Sequence, residues 1–277
     1  MPRVPLLRLM LGVCLGGSLS AAEPTMEVWR KVASYLSKEA QIEFNALPAA
    51  AGVAARRERD FCAAVVQLDQ QSLSEARLDE VEQRLKALVA AEGNDTIARA
   101  ARFLLGRMAQ LYRANPDVGL AAEYFRGLVE QPGADRWGDA ARIKLAVLRA
   151  YVLPAVGDAA ARVAAVEALL PAAKDPVVVR DLHRVAARAI MFYNLPPAAA
   201  LRHLVAADAL GGLSGTLGAD QLVQIGELAW DTGDAALATR YYERLRAEYP
   251  RDPRIFLMDQ RNAGNPVPHR SEALHGR

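Results

Sequence analysis

A trio of residues recurs along the chain at intervals of 38 to 40 residues. Each trio has a small or β-branched residue, a bulky or apolar residue four positions later, and another apolar residue three positions after that. These spacings place the three side chains on one stripe of an α-helix, and a small first residue lets a neighbouring helix approach closely. The five trios are Val81, Leu85 and Leu88; Ala121, Phe125 and Leu128; Ala161, Ala165 and Ala168; Ala200, Leu204 and Ala207; and Ala238, Tyr242 and Leu245.

An apolar helical segment precedes each trio, at about residues 56–70, 96–113, 136–152, 177–193 and 219–231. The composition agrees, since alanine supplies 54 of the 277 residues and no stretch of the sequence sustains the alternation typical of a strand. Helix pairs that recur at a fixed period bury their apolar faces by stacking on one another. The sequence therefore predicts an all-α fold, an α-solenoid of about five antiparallel helix pairs.

The last pair resembles a tetratricopeptide repeat (TPR). The matching positions are Ile225 and Gly226 in the first helix, Gly233 and Asp234 in the turn, and Ala238, Tyr242 and the terminating Pro250 in the second helix. The second pair repeats the pattern with three extra residues in its turn, at Leu105, Gly106, Ala109, Ala121, Phe125 and Leu128.

The resemblance covers about residues 56–252 and implies a TPR-like superhelix. The period of about 40 residues is longer than the 34 residues typical of the family, so a HEAT-like solenoid is the alternative. Residues 54–252 are the predicted repeat domain. Residues 23–53 are predicted to form an N-terminal helix and linker, and residues 253–277 a closing helix and a flexible tail.

Residues 1–22 have the pattern of a bacterial secretory signal peptide. Two arginines precede an apolar stretch from Leu9 to Leu19, and small residues end the segment at Ala22. The stretch is shorter than the roughly 20 apolar residues that span a bilayer. We expect export to the periplasm or the medium, with cleavage after Ala22. Lipoprotein anchoring through Cys14 is the disfavoured alternative, because the bulky Val13 precedes that cysteine.

The charge balance argues against nucleic acid as a partner. Residues 1–22 contain two arginines and no acidic residue, so the rest of the chain has 32 basic and 32 acidic side chains. Binding to phosphates requires a clustered excess of positive charge. Cys62 is the one cysteine that follows the signal, which excludes an intramolecular disulfide, and its apolar neighbours predict a buried thiol.

The sequence patterns point to no catalytic residue, metal or cofactor. The four histidines include no pair at helical spacing, and the hydrolase elbow and the phosphate-binding glycine loops are absent from the sequence. His183 and His203 lie on successive predicted helices and can meet, although solvated side chains are favoured over ligands. The glycine-rich segment from Gly211 to Ala219 is predicted to be a flexible connector.

The resemblance implies that the first helix of each pair lines a concave groove. The family positions that face this groove fall at Phe103, Arg107 and Gln110 in the second pair, and at Asp220, Val223, Glu227, Trp230 and Asp231 in the last pair. Trp230 and Arg107 are the main candidates, since tryptophan and arginine often anchor interfaces. The alternative for Trp230 is packing under the closing helix at residues 255–258.

These features together predict a non-enzymatic scaffold or adaptor of the cell envelope. It would bind a protein or an extended peptide in the groove of the solenoid. Two alternatives remain open. One is a structural subunit of an envelope assembly that self-associates, and the other is an envelope enzyme with paired carboxylates that acts on cell-wall glycan.

Overall fold

A computed structural model describes residues 25–70, 73–131, 135–154 and 157–262. These residues contain thirteen α-helices and no strand, which confirms the all-α prediction. The predicted signal peptide and the predicted tail from Ala263 onward lie outside the described residues. The helices are α1 (Met26–Ala33), α2 (Ser37–Ala46), α3 (Gly52–Asp69), α4 (Glu75–Ala91), α5 (Thr96–Arg107), α6 (Val118–Glu130), α7 (Arg136–Tyr151), α8 (Ala159–Glu167), α9 (Pro176–Phe192), α10 (Pro197–Ala209), α11 (Gly215–Asp231), α12 (Ala235–Glu248) and α13 (Ile255–Asn262).

Aspartate side chains fix where many of these helices begin. Asp95, Asp117, Asp158 and Asp234 each accept a hydrogen bond from the backbone N–H three residues further on, at 2.7–3.0 Å. Such caps satisfy a donor that the first helical turn leaves without a partner. α5 begins after Asp95 and continues beyond Arg107 as one π-helical turn, Met108–Tyr112.

The chain divides into two compact units, Met1–Ala141 and Arg142–Arg277, with the boundary inside α7. In the first unit each helix from α1 to α6 packs on the next one along the chain. Val32, Cys62, Leu85 and Leu104 belong to the buried core that these helices share. Cys62 is fully buried, as predicted.

One close helix contact in the first unit depends on glycine. A Cβ atom added to Gly106 in α5 would lie 2.6 Å from Cε1 of Phe125 in α6. Carbon atoms in contact are normally about 3.5–4.0 Å apart, so a methyl group at this position would overlap the ring. The aromatic ring therefore fills the space that the absent side chain leaves.

The second unit contains the same kind of contact. A Cβ atom at Gly226 in α11 would overlap the ring of Tyr242 in α12. In this unit α8 to α13 also pack in chain order, each on the next. Helices are present at all five predicted pairs, α3 with α4, α5 with α6, α7 with α8, α9 with α10 and α11 with α12. Their stacking into a solenoid stays a prediction.

Two connections differ from the sequence interpretation. The chain has a second N-terminal helix, α2, separated from α1 by a turn in which Tyr35 has a φ of 59°. The predicted connector at Gly211–Ala219 is shorter than expected, because α11 begins at Gly215 and Gly218 is buried. Glycine has a low helix propensity. It is tolerated at the start of α11 because packing against the rest of the fold stabilises the helix.

Four buried arginines connect the two helices of four successive pairs. Each lies in the first helix of its pair and donates to a carbonyl oxygen at or just beyond the end of the second helix. We call them the arginine clasps: Arg57 to Leu88, Arg99 to Leu128, Arg142 to Leu169 and Arg180 to Gly211, at 3.2–3.5 Å. Carbonyl oxygens near the C-terminal end of a helix receive no hydrogen bond from within the helix. Each clasp therefore donates a hydrogen bond to an oxygen that would otherwise be buried without a donor.

Candidate functional site

The predicted groove residues of the first unit are mainly buried. Phe103 packs against the rings of Phe125 and Trp137, with both pairs of ring centroids 5.6 Å apart. Arg107 is buried and donates to Oε1 of Gln110 at 2.6 Å. Burial lowers the pKa of Arg107 from its usual value. Gln110 is the half-exposed member of this set.

The predicted groove residues of the second unit lie beside the C-terminal segment. Asp220 accepts from Nη1 of Arg254 at 2.6 Å, and Glu227 accepts from Nη1 of Arg261, within α13, at 3.2 Å. Val223 is buried. Asp220, Glu227 and Trp230 are half-buried, and Asp231 is exposed. The partner-binding role of all eight predicted residues stays a prediction.

A cluster of aromatic rings and arginines lies where α7 and α9 end in the second unit. Phe192 is 67% exposed, the largest fraction among the exposed large apolar side chains of the described residues. Its ring meets Tyr193 edge-on with 4.9 Å between centroids, and meets Tyr151 in the same way at 5.4 Å. Arg162 lies over the Tyr193 ring, and Arg188 lies one helical turn before Phe192 on α9. We call Tyr151, Arg162, Arg188, Phe192 and Tyr193 the aromatic–arginine patch.

The rings of the patch are held in place by hydrogen bonding and stacking. The hydroxyl of Tyr193 donates to the carbonyl oxygen of Ala150 at 2.7 Å, and the Tyr193 ring stacks on Tyr151 with 6.4 Å between centroids. The Arg162 guanidinium lies 6.0 Å from the centre of the Tyr193 ring, and its Nη1 donates to the carbonyl of Arg149 at 3.3 Å. Rings fixed in this way lose little entropy when a partner binds.

Positive charge is concentrated in the part of the chain that contains the patch. Residues 142–195 include eight Lys and Arg but four Asp and Glu. Along α9, Arg180, Arg184 and Arg188 are spaced by four residues, which places like charges on neighbouring turns. Burial first, and then the charge of Arg188, lowers the pKa of Arg184 from its usual value. Asp181, the one carboxylate of α9, pairs with Arg180 and Arg184, so α9 balances only part of the charge of this stripe.

His183 and His203 do meet, as the sequence allows. Their Nδ1 atoms lie 2.8 Å apart, and Nε2 of His203 lies 2.8 Å from Oε1 of Glu167. Burial, and then the proximity of His203, lowers the pKa of His183. Within the described part of the chain no group of three His, Cys, Asp or Glu side chains is arranged to hold a metal ion.

A cavity of about 420 Å³ opens in the first unit beside Arg113. Arg113 occupies its acidic edge, donating to Glu75 at 2.9 Å and to Asp79 at 2.6 Å, and also to Glu82. The hydrogen bond from Arg113 lowers the pKa of Glu75. Glu75, Asp79 and Glu82 therefore all accept hydrogen bonds from one arginine at this edge.

The aromatic–arginine patch is not predicted from the sequence, because the predicted groove positions each lie within a single helix pair. Tyr151 and Phe192 belong to different pairs, and their contact depends on how α7 packs beside α9. The excess of basic residues within 142–195 is the sequence signal that marks this region. A net charge calculated for the whole chain conceals that excess.

The chain matches no protein-family model, no curated protein and no solved structure. No helix among the described residues is both long enough and apolar enough to cross a membrane. The TPR resemblance rests on the residues of the sequence that were quoted for it. Membership of that family stays a prediction.

Proposed function

We propose that the chain is a non-enzymatic scaffold or adaptor of the cell envelope that binds a protein or an extended peptide. The aromatic–arginine patch is the observation that carries this proposal. It combines a largely exposed phenylalanine with preorganised tyrosine rings and arginine side chains, and aromatic and arginine residues are enriched where interfaces derive most of their binding energy. The TPR-like solenoid of about five pairs and the groove at Trp230 remain part of the proposal.

The patch suits noncovalent recognition. Its side chains are aromatic rings and guanidinium groups, which contribute contact area, stacking and directed hydrogen bonds. Phe192 has no polar group, and its exposed ring gains free energy when a partner removes it from water. Binding is therefore the activity that these residues support best.

The envelope location is supported by residues 1–22, whose charge, apolar stretch and small residues match a secretory signal. The mass of the protein recovered from its native cell tests this part of the proposal. A chain that begins at Glu23 is expected. A chain that keeps residues 1–22 would contradict export by this signal, and an acylated Cys14 would identify the lipoprotein alternative.

Selection from a library of displayed random peptides tests the binding function. The bait is the chain beginning at Glu23, and the matched variants are Phe192→Ala and Phe256→Ala. The two phenylalanines are 67% and 66% exposed, but Phe192 belongs to the patch, whereas Phe256 lies on α13. We expect enriched peptides to bind the wild type and Phe256→Ala equally, and Phe192→Ala about tenfold more weakly.

A library that yields no enriched peptide would overturn the proposed binding function. Peptides that bind all three proteins equally would remove the patch as the site. In that case Trp230→Ala, tested on the same peptides, shows whether the predicted groove binds them. A molecular mass that rises with protein concentration would favour the self-associating subunit.

A further inference from the structure

We propose that the partner of the aromatic–arginine patch is an acidic polypeptide segment with one apolar or aromatic anchor. The inference rests on the proposed binding function and names the chemistry of the partner. Carboxylates of the segment pair with Arg162 and Arg188, and the anchor packs on the exposed face of Phe192.

Each carboxylate of residues 142–195 has a hydrogen-bond or ion-pair partner other than Arg162 and Arg188. Asp158 and Asp175 cap the first turns of α8 and α9. Oε1 of Glu167 lies 2.8 Å from Nε2 of His203, and Asp181 pairs with Arg180 at 3.0 Å and Arg184 at 3.6 Å. The guanidinium groups of Arg162 and Arg188 are therefore available to the carboxylates of a ligand.

The two arginines of the patch have no carboxylate partner within the described residues. Arg162 donates to a backbone carbonyl and lies over Tyr193. Arg188 is exposed and lies one helical turn before Phe192 on α9, which places the two side chains on the same face of the helix. A guanidinium binds a carboxylate through two parallel hydrogen bonds. A guanidinium that is already stacked on a ring loses less conformational entropy when it binds.

A polypeptide fits this patch better than a nucleic acid. Arg142 and Arg180 are buried, which leaves few exposed cations beside the rings. A phosphodiester strand binds along an extended groove of many cations with several stacked bases. Two arginines near one exposed ring instead match a short segment that combines acidic residues with one anchor.

Fluorescence anisotropy with four labelled probes tests the inference on the chain beginning at Glu23. The first probe is a short peptide of glutamate and alanine around a central phenylalanine. The second has lysine in place of glutamate, and the third has alanine in place of phenylalanine. The fourth is a short strand of oligothymidylate. We expect the first probe to bind most tightly and its affinity to fall as salt is added.

Four variants locate the binding of the first probe. Arg188→Gln and Phe192→Ala should each weaken it about tenfold. Arg202→Gln and Phe256→Ala are the matched controls, because they change an exposed arginine on α10 and an exposed phenylalanine on α13. We expect these controls to bind like the wild type, and circular dichroism should show the same helical content for all four.

Several results would overturn the inference. They are no binding of the first probe, equal binding of the lysine probe, tighter binding of oligothymidylate, and affinity that does not respond to the patch variants. Failure of the inference is distinguishable from failure of the proposed function. Selected peptides that need Phe192 but contain no acidic residue would leave the binding function standing and refute the acidic partner.

Discussion

Arg57 donates from Nη1 to the carbonyl oxygen of Leu88 at 3.2 Å, joining the first helix of a pair to the last turn of the second. Its Nη2 also contacts both carboxylate oxygens of Asp95, at 2.9 and 2.8 Å, and Asp95 caps the next helix. One guanidinium therefore connects three helices, α3, α4 and α5. The arginine is buried, while the carboxylate is about one-third exposed.

Replacing this arginine should destabilise the first unit strongly. We expect Arg57→Met to lower the free energy of unfolding by about 2–3 kcal/mol. The substitution removes the hydrogen-bond donor of the Leu88 carbonyl oxygen and the counter-ion of Asp95. Urea unfolding followed by circular dichroism measures the change. Arg56→Met is the matched control, because Arg56 is exposed on the same helix. Equal stability of the two variants would show that the clasp contributes nothing.

Gly106→Ala should destabilise the first unit, although alanine is the better helix former. The added methyl group overlaps the Phe125 ring, and such overpacking costs about 1–3 kcal/mol. Gly127→Ala in α6 is the matched control, because nothing lies within 4 Å of its added Cβ. That variant should be neutral or gain up to about 1 kcal/mol. A stabilising Gly106→Ala would contradict the close packing of α5 on α6.

Cys62 should resist thiol reagents in the folded protein. It is fully buried, and burial raises the pKa of its thiol to about 12. The reactive species is the thiolate, so native labelling near pH 8 should be limited by opening of the first unit. In denaturant the thiol should label completely. Fast, complete labelling of the native chain would contradict the buried position.

The histidine pair predicts a loss of stability in mild acid. Burial lowers the pKa of His183 in the folded chain, so the unfolded chain binds its proton more readily. The contribution of His183 to the free energy of unfolding is fully present above the pKa of this residue in the unfolded chain, near 6.5. It is lost as the pH falls through the lower pKa of His183 in the folded chain. The urea midpoint should therefore drop between about pH 7.5 and 5.5, and drop less in His183→Gln. An equal drop in both proteins would contradict the assignment.

The helix positions follow from local sequence patterns, and the sequence predicts most of them well. Asp95, Asp117 and Asp234 each precede an apolar run and cap the helix that follows. The TPR spacing from Gly226 to Tyr242 likewise anticipates a close contact, because it places a glycine and an aromatic ring on facing helices.

The sequence does not predict as directly which side chains meet across helices. The clasp arginines Arg57, Arg99, Arg142 and Arg180 are spaced by 42, 43 and 38 residues, a period that the general abundance of arginine hides. Which carbonyl oxygen each arginine binds depends on which helix end lies opposite that arginine in the fold. The aromatic–arginine patch depends in the same way on α7 and α9 being neighbours.

The arginine clasps also have a consequence for how the chain folds. The donor and acceptor residues of each clasp are only 27 to 31 positions apart. Contacts between residues close in sequence form quickly, because little loop-closure entropy is lost before they are made. Each of the four pairs that has a clasp can therefore complete its own closing contact as soon as its second helix forms. We expect loss of one clasp to slow the formation of its own pair.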